Sequence, residues 1–238
     1  MSGTLYLIAT PIGNPRDITL RALDILAGVD LVVVEERREG ERLLRETGIT
    51  KPSECLNEHN EAAATRVILS HLLAGKNVGL VSDAGTPVFS DPGQLLVRGA
   101  IERKIRVVPV PGASSLMPAL TVSGFGIDSF VFAGWLSPKK ERRRAELRQL
   151  RQERRTIVVM DTPYRLASLM TDLADTFGDT RQVCIAFNLT MPDEKVFHGT
   201  AASLQKELAS RPLKGEFVVV IEGRSLDPSQ KGGVSRTP

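Results

Sequence analysis

Three short stretches of small residues are the best candidates for chemistry: Ala9-Thr10-Pro11-Ile12-Gly13-Asn14, Ser82-Asp83-Ala84-Gly85-Thr86-Pro87 and Val110-Pro111-Gly112-Ala113-Ser114-Ser115. Each follows an apolar run of strand length: Leu5 to Ala9, Val78 to Val81 and Ile105 to Val110. Glycine and alanine put almost nothing between a ligand and the main chain, and proline fixes a bend. In a doubly wound sheet the loops at the carboxyl ends of parallel strands gather along one edge. Three such bends therefore predict a wide crevice lined by backbone, of a size for a nucleoside. Neither GxGxxG nor GxxxxGK[ST] occurs, which argues against the usual dinucleotide and ATP sites.

Two charged stretches are further candidates. Glu35-Glu36-Arg37-Arg38-Glu39-Gly40 follows the apolar run Leu31 to Val34, so it reads either as a solvated charge run or as a lip that holds a substrate. Residues 139 to 155 carry nine Lys or Arg against Glu141, Glu146 and Glu153, while the whole chain has a formal net charge of +3. A helix this basic can neutralise phosphates, and Trp135 is the only aromatic close by, so contact with a nucleic-acid backbone is expected before base readout. A solvated helical face, seated by Leu147 and Leu150, is the plainer alternative. Cys55 and Cys184 are far apart and have no metal-ligand spacing, so both read as packing residues and no metal site is expected.

The elements that must position these residues alternate strand-like runs with helical patterns, the signature of βαβ units and a mainly parallel sheet. Asp17 is expected to cap a helix with Leu20, Leu23 and Ala27 on one face, and Asn60-Glu61 to start one that Gly75 stops. Beyond Gly124-Phe125-Gly126 the pattern begins again. Strands are expected at Phe130 to Ala133, Thr156 to Met160, Val183 to Phe187 and Phe217 to Ile221, with helices at 139–155, 164–177 and 202–208. His71 and His198 read as structural. The 238 residues, 42% hydrophobic and 25% charged, suit a globular protein of one large or two modest domains. No apolar run is long enough for a bilayer and no signal peptide is visible, so the cytoplasm is expected. The residues after 223, rich in Ser, Gly, Pro and Lys, are expected to be disordered.

The three bends occur in order with Asp17-Ile18-Thr19-Leu20-Arg21-Ala22-Leu23, Glu58-His59-Asn60-Glu61, Ser82 to Gly93, Ser123-Gly124-Phe125 and Lys214-Gly215-Glu216-Phe217. Together these motifs resemble the tetrapyrrole methylase superfamily, and within it the members that act on small-subunit ribosomal RNA. The resemblance spans about residues 4 to 223. It implies two α/β domains, 1–117 and 118–223, with S-adenosylmethionine in the cleft between them, usually in a homodimer. It places Pro11 beside that ligand, Asp83, Ala84, Gly85 and Thr86 along its amino-acid end, and Ser114 and Ser115 at its ribose or carboxylate. Met160, Asp161, Ala186 and Glu216 would approach the adenosine from the second domain.

The implied reaction moves a methyl group from sulfonium to a ribose 2′-hydroxyl, which must lose a proton. The candidate proton acceptors are Glu36, His59 and Glu61. Arg38, Asn60, Arg143 and Arg144 are the candidates to hold the RNA. The stretches 35–40 and 187–191 depart from the family's pattern, so the chain resembles a divergent, shorter member. A methyltransferase for a tetrapyrrole or other small molecule, and a non-catalytic RNA-binding or ribosome-assembly factor, remain the alternatives.

Overall fold

The computed structural model describes residues 2–210 and 213–224, and the tail expected after residue 223 lies outside the described residues except for Arg224 at its start. The chain divides between Ser115 and Leu116 into two compact units.

The first unit is a sheet of five parallel strands: β1 (Thr4–Ile8), β2 (Leu31–Val34), β3 (Ser53–Cys55), β4 (Val78–Val81) and β5 (Arg106–Val110), in the order β3-β2-β4-β1-β5. Alternate residues of each strand serve opposite faces, as the period of two requires. Leu5, Leu31, Val33, Val78 and Leu80 pack with α3 (Glu61–Leu73) and α4 (Gln94–Glu102), through Ile68, Leu72 and Leu96. Ile8, Val32, Val34 and Val81 pack with α1 (Leu20–Gly28) and α2 (Arg37–Glu46), through Leu26 and Leu44. The central strands are buried on both faces, which is why Val78 to Val81 and Leu31 to Val34 are unbroken apolar runs.

Some expectations need correction here. Thr19, not Asp17, caps α1: its hydroxyl accepts from the Ala22 N–H at 3.1 Å, while Asp17 closes a preceding 3-10 turn at Pro15–Asp17. The charge run after β2 is largely helical, since α2 begins at Arg37 and seats itself on the sheet by Leu44.

The second unit comprises α5 (Leu116–Ser123), β6 (Phe130–Trp135), α6 (Lys140–Leu150), β7 (Thr156–Asp161), α7 (Leu166–Phe177), β8 (Gln182–Phe187), β9 (Lys195–Thr200), α8 (Ala201–Ala209) and β10 (Phe217–Ile221). Its sheet runs β6-β7-β10-β8-β9, and only β6 and β7 pair in parallel. The mainly parallel expectation fails in this half for two reasons. A seven-residue connection joins β8 to β9 as neighbours, which forces them antiparallel, and β10 then enters between β7 and β8 in the opposite sense to both. His198 lies inside β9 and bonds the Val122 carbonyl at 2.9 Å, and His71 bonds Glu54 at 3.0 Å, so both are structural. One face of the sheet packs α6, α7 and α8 through Leu147, Leu169, Leu173 and Leu204, and α5 packs the other. No helix among the described residues is long and apolar enough to cross a membrane.

An ion pair joins α6 to α7 inside this core. Arg143 is 4% exposed and Asp172 1%, with Arg143 Nε donating to Asp172 Oδ2 at 2.8 Å and Arg144 Nε to Oδ1 at 2.6 Å. Removing the acid would strand a buried guanidinium, a loss of about 3–5 kcal/mol. Asp172→Ala is expected to lower the urea midpoint accordingly, as read by the fluorescence of Trp135, the chain's only tryptophan, which lies in this unit.

Candidate active site

Four neighbouring strands of the first sheet, β2, β4, β1 and β5, deliver the loops that begin at Glu35, Ser82, Ala9 and Pro111 to one edge. The connection after β1 leads to α1 on one face and that after β4 to α4 on the other, so the two strands diverge at a switch point and leave a crevice. Thr10 and Gly85 close its floor with reciprocal backbone bonds, Thr10 N to Gly85 O at 2.9 Å and Gly85 N to Thr10 O at 3.0 Å. The buried Thr10 hydroxyl also donates to the Ser82 carbonyl at 3.0 Å. On the other flank the Thr86 hydroxyl reaches the Ala113 carbonyl at 3.4 Å.

The small residues are required by these approaches. Gly85 has φ +86°, and a Cβ there would meet Ile12 Cγ2 at 3.3 Å; one on Gly112 would meet Ala9 Cβ at 2.9 Å. Val88 and Ser90 are held at φ +69° each, a conformation costly for any residue but glycine and most of all for the β-branched Val88, and a form of strain that clusters at functional sites. The three predicted bends are thus brought together, and Pro11, Asp83, Ala84, Thr86, Ser114 and Ser115 share this edge.

The charge at the edge is negative. Burial pushes the Glu35 carboxyl up to about 7, with Asp91, Asp83, Glu36 and Glu58 adding to the rise. Asp83 is raised by burial against a hydrogen bond from the Glu36 N–H at 3.2 Å, and Asp91 by burial against the Ser82 hydroxyl at 2.5 Å. Glu35, expected only as part of the charged lip, and Asp91 were not among the expected proton acceptors. The available signal was position: Glu35 directly follows the last buried residue of β2 and is half-buried, whereas Glu36, one residue further on, is exposed.

The other proton acceptors fare differently. Glu61 is spent as a cap, its Oε1 accepting from Gly93 N at 2.8 Å and Leu95 N at 3.2 Å at the start of α4. His59 has an exposed side chain, beside Glu58. Asn60 ties its own turn, accepting from Asn57 N at 2.8 Å and donating to the Cys55 carbonyl at 3.0 Å. Arg38 is exposed on α2. Arg143 and Arg144 do not stand free for nucleic acid: Asp172 holds both, and Asp175 takes Arg144 at 2.5 Å.

The residues expected from the second unit lie at one end of its sheet. Met160 and Ala186 flank Val218 in register, on the face that carries α5, and the Glu216 carbonyl accepts from Asn188 N at 2.8 Å. Partial burial raises the Glu216 carboxyl. Asp161 is buried, with Oδ1 bound by the Thr162 N–H at 2.6 Å and by Arg165, while Oδ2 has no partner among the described residues. Cys184 is packed in the core, where burial lifts its thiol to about 11. The described residues contain no group of three or more His, Cys, Asp or Glu that could hold a metal ion.

This architecture, a switch-point crevice on a parallel sheet followed by a mixed α/β unit, defines the class. Residues 4–205 match the family of Tetrapyrrole (Corrin/Porphyrin) Methylases, and the chain belongs to that family. Within it the chain is 44% identical over 221 residues to a protein of Synechocystis sp. named Ribosomal RNA small subunit methyltransferase I, covering 93% of this chain and 79% of that one. A protein of the same name from Xylella fastidiosa is 44% identical over 231 residues, covering 96% and 85%. Among solved structures, uroporphyrin-III C-methyl transferase from Thermus thermophilus complexed with S-adenyl homocysteine shares the fold with a TM-score of 0.63 and 18% identity, over 92% of this chain and 97% of that one.

The Thr10 hydroxyl offers a clean probe of the crevice floor. Thr10→Val keeps the shape and leaves the Ser82 carbonyl without this donor, a loss of about 1–3 kcal/mol. The expected result is a lower unfolding midpoint together with faster hydrogen exchange at the Gly85 amide, both read on the full chain.

Proposed function

We propose that this chain transfers a methyl group from S-adenosylmethionine to small-subunit ribosomal RNA, at a ribose 2′-hydroxyl. The observation that carries the reading is the backbone-lined crevice closed by the Thr10–Gly85 bridge, in a chain 44% identical to proteins named for that RNA. The crevice fits an adenosyl sulfonium compound on two counts. Ala84 and Thr86 are exposed at the edge and put little side chain in the way of a ligand, and the carboxylates set up a negative field that favours a cation. When bound, the donor supplies an electrophilic methyl carbon and leaves as a neutral thioether.

The chain's own part is to align and to accept a proton. Holding donor and hydroxyl in line removes much of the entropic barrier, up to roughly 7–11 kcal/mol in favourable cases. As the oxygen–methyl bond forms and the sulfur–methyl bond breaks, the hydroxyl proton passes to the Glu35 carboxylate. Its pKa of about 7 suits a base that works near neutral pH. Glu36 is less suited, being exposed, and Glu61 is already engaged by two N–H groups.

The direct experiment incubates small ribosomal subunits from a strain lacking the gene with labelled donor and analyses the RNA nucleosides by mass spectrometry. A labelled 2′-O-methyl nucleoside is expected, and label absent from RNA overturns the reading. Gly85→Val, which crowds the crevice floor, is expected to weaken donor binding at least tenfold by calorimetry while the chain stays folded.

For Glu35→Gln, kcat is expected to fall by about 10²–10⁴-fold with donor affinity unchanged, and the wild-type rise in kcat/KM through pH 7 to disappear. The linked stability effect has the opposite sign. A carboxyl raised in the folded state contributes stability that is complete below its unfolded value of 4.5 and lost as pH rises through about 7. At pH 8 the glutamine variant should therefore be the more stable, by about 1 kcal/mol after allowing for solvent screening.

A further inference from the structure

The basic segment 139–155 has a use beyond the buried Asp172 pair. At the end of the second sheet opposite Met160, Ala186 and Glu216, two adjoining hollows share Arg151. One, of about 480 Å³, is lined by Arg151, Gln152, Thr180, Arg181, Glu222, Gly223 and Arg224. The other, of about 270 Å³, is lined by Arg144, Arg148, Arg151, Asp175 and Thr176.

The cations here are held mainly by neutral groups. Arg181 stacks over the Phe177 ring at 5.2 Å and donates to the Glu222 carbonyl at 3.0 Å and the Arg151 carbonyl at 2.9 Å. Arg224 donates to the Gln152 side chain and, through its backbone, to the Glu153 carbonyl at 2.8 Å. Carbonyl and amide acceptors fix a guanidinium in place without cancelling its charge. The side chains of Arg148 and Arg151 make no hydrogen bond or ion pair with the described residues. Of the nearby carboxylates, Asp175 is engaged by Arg144 and Glu153 by Arg155, which leaves Glu222 to face the cluster.

Like charges have therefore been gathered around a hollow. Burial disfavours the charge on Arg181 most, Glu222 partly offsets that, and Arg224 and Arg151 both push against it. An anion in the hollow would relieve all three, and guanidinium forks match phosphate oxygens in geometry. Gly223 lets the strand end lie against residues 154 and 155, since a Cβ there would overlap the Arg154 carbonyl; this fixes Arg224 at the rim.

We infer that this trough, with Arg148, Arg151, Arg181 and Arg224 along it, is a binding site for the phosphate backbone of RNA, separate from the crevice that carries the chemistry. The inference rests on the reading of an RNA acceptor. The six-residue strand β7 separates the trough from the far end of its own sheet, where Met160 and Asp161 lie, by about 17 Å.

The test uses the full chain, small-subunit ribosomal RNA and labelled donor. Because the side chains of Arg148 and Arg151 have no hydrogen-bond or ion-pair partner among the described residues, Arg148→Glu with Arg151→Glu is expected to fold, and the corresponding pair of glutamines guards against a misfolded result. The expected outcome is RNA binding at least tenfold weaker, with a log–log salt dependence shallower by about 1.4 for two lost contacts to a single strand. KM for RNA should rise with kcat and donor affinity held. A charge-matched control, Arg21→Glu with Arg66→Glu on α1 and α3, should change RNA binding far less.

Unchanged RNA affinity and salt slope in the trough variants overturn the inference. So does inorganic phosphate occupying the hollow without competing with RNA, which would mark a free-anion site. If the wild-type chain binds RNA through these arginines yet transfers no label to it, the trough stands and the proposed reaction falls.

Discussion

The pair of backbone hydrogen bonds between Thr10 and Gly85 is the constraint on which the site depends. Neighbouring parallel strands normally part at their carboxyl ends, and here the chain after β1 and the chain after β4 leave for opposite faces of the sheet. The ladder bonds of β1 and β4 end at Ile8 and Val81. Without a further tie the two loops would open independently. The bridge fastens them two residues beyond β1, and it requires a residue at position 85 that accepts φ +86°. Ser82 is then held by Thr10, and its own hydroxyl reaches Asp91 across the loop. One local closure thus fixes Asp91 as well as the loop backbone.

That arrangement stores repulsion. Glu35, Asp83 and Asp91 are each raised in pKa by burial, and no basic side chain is among the causes that act on them. Val88 and Ser90 add backbone strain in the same loop. The apolar packing of β1, β2 and β4 on both faces offsets these costs and keeps the loop ends where the buried strands put them. A site that keeps a carboxyl near neutrality gives up stability for chemistry.

The sequence made the central strands legible because burial on both faces leaves unbroken apolar runs. It made the three bends legible because close backbone approach admits few residue types. What it concealed was pairing over distance. Arg143 and Arg144 are indistinguishable from Arg148 and Arg151 in a basic helix until α7 presents Asp172, 29 and 28 residues further on. Glu61 passes for a free acid until the N-terminus of α4 lands on it. β9 escaped because Lys-Val-Phe-His-Gly-Thr is only half buried, and the helix α2 because its charged face outweighs Leu43 and Leu44. The choice between Glu35 and Glu36 turned on where β2 ends, and a strand boundary decides burial with a single residue.

The signs of charge in the two units also bear on how a polyanion can be a substrate at all. A cluster of carboxylates repels phosphates within a Debye length of about 8–10 Å, so the edge proposed to hold a sulfonium cannot itself supply affinity for RNA. A carboxyl with a pKa of about 7 lessens the conflict, since near neutral pH it is protonated about half the time. The remaining attraction has to come from cations that nearby carboxylates do not neutralise. The net charge of +3 would not reveal such cations, because Arg143, Arg144 and Arg155 are already matched by Asp172, Asp175 and Glu153. The unmatched arginines lie along the margin of the second sheet, so in the proposed arrangement the second unit grips the RNA backbone and the edge of the first unit serves methyl transfer, each with the sign of field its task requires.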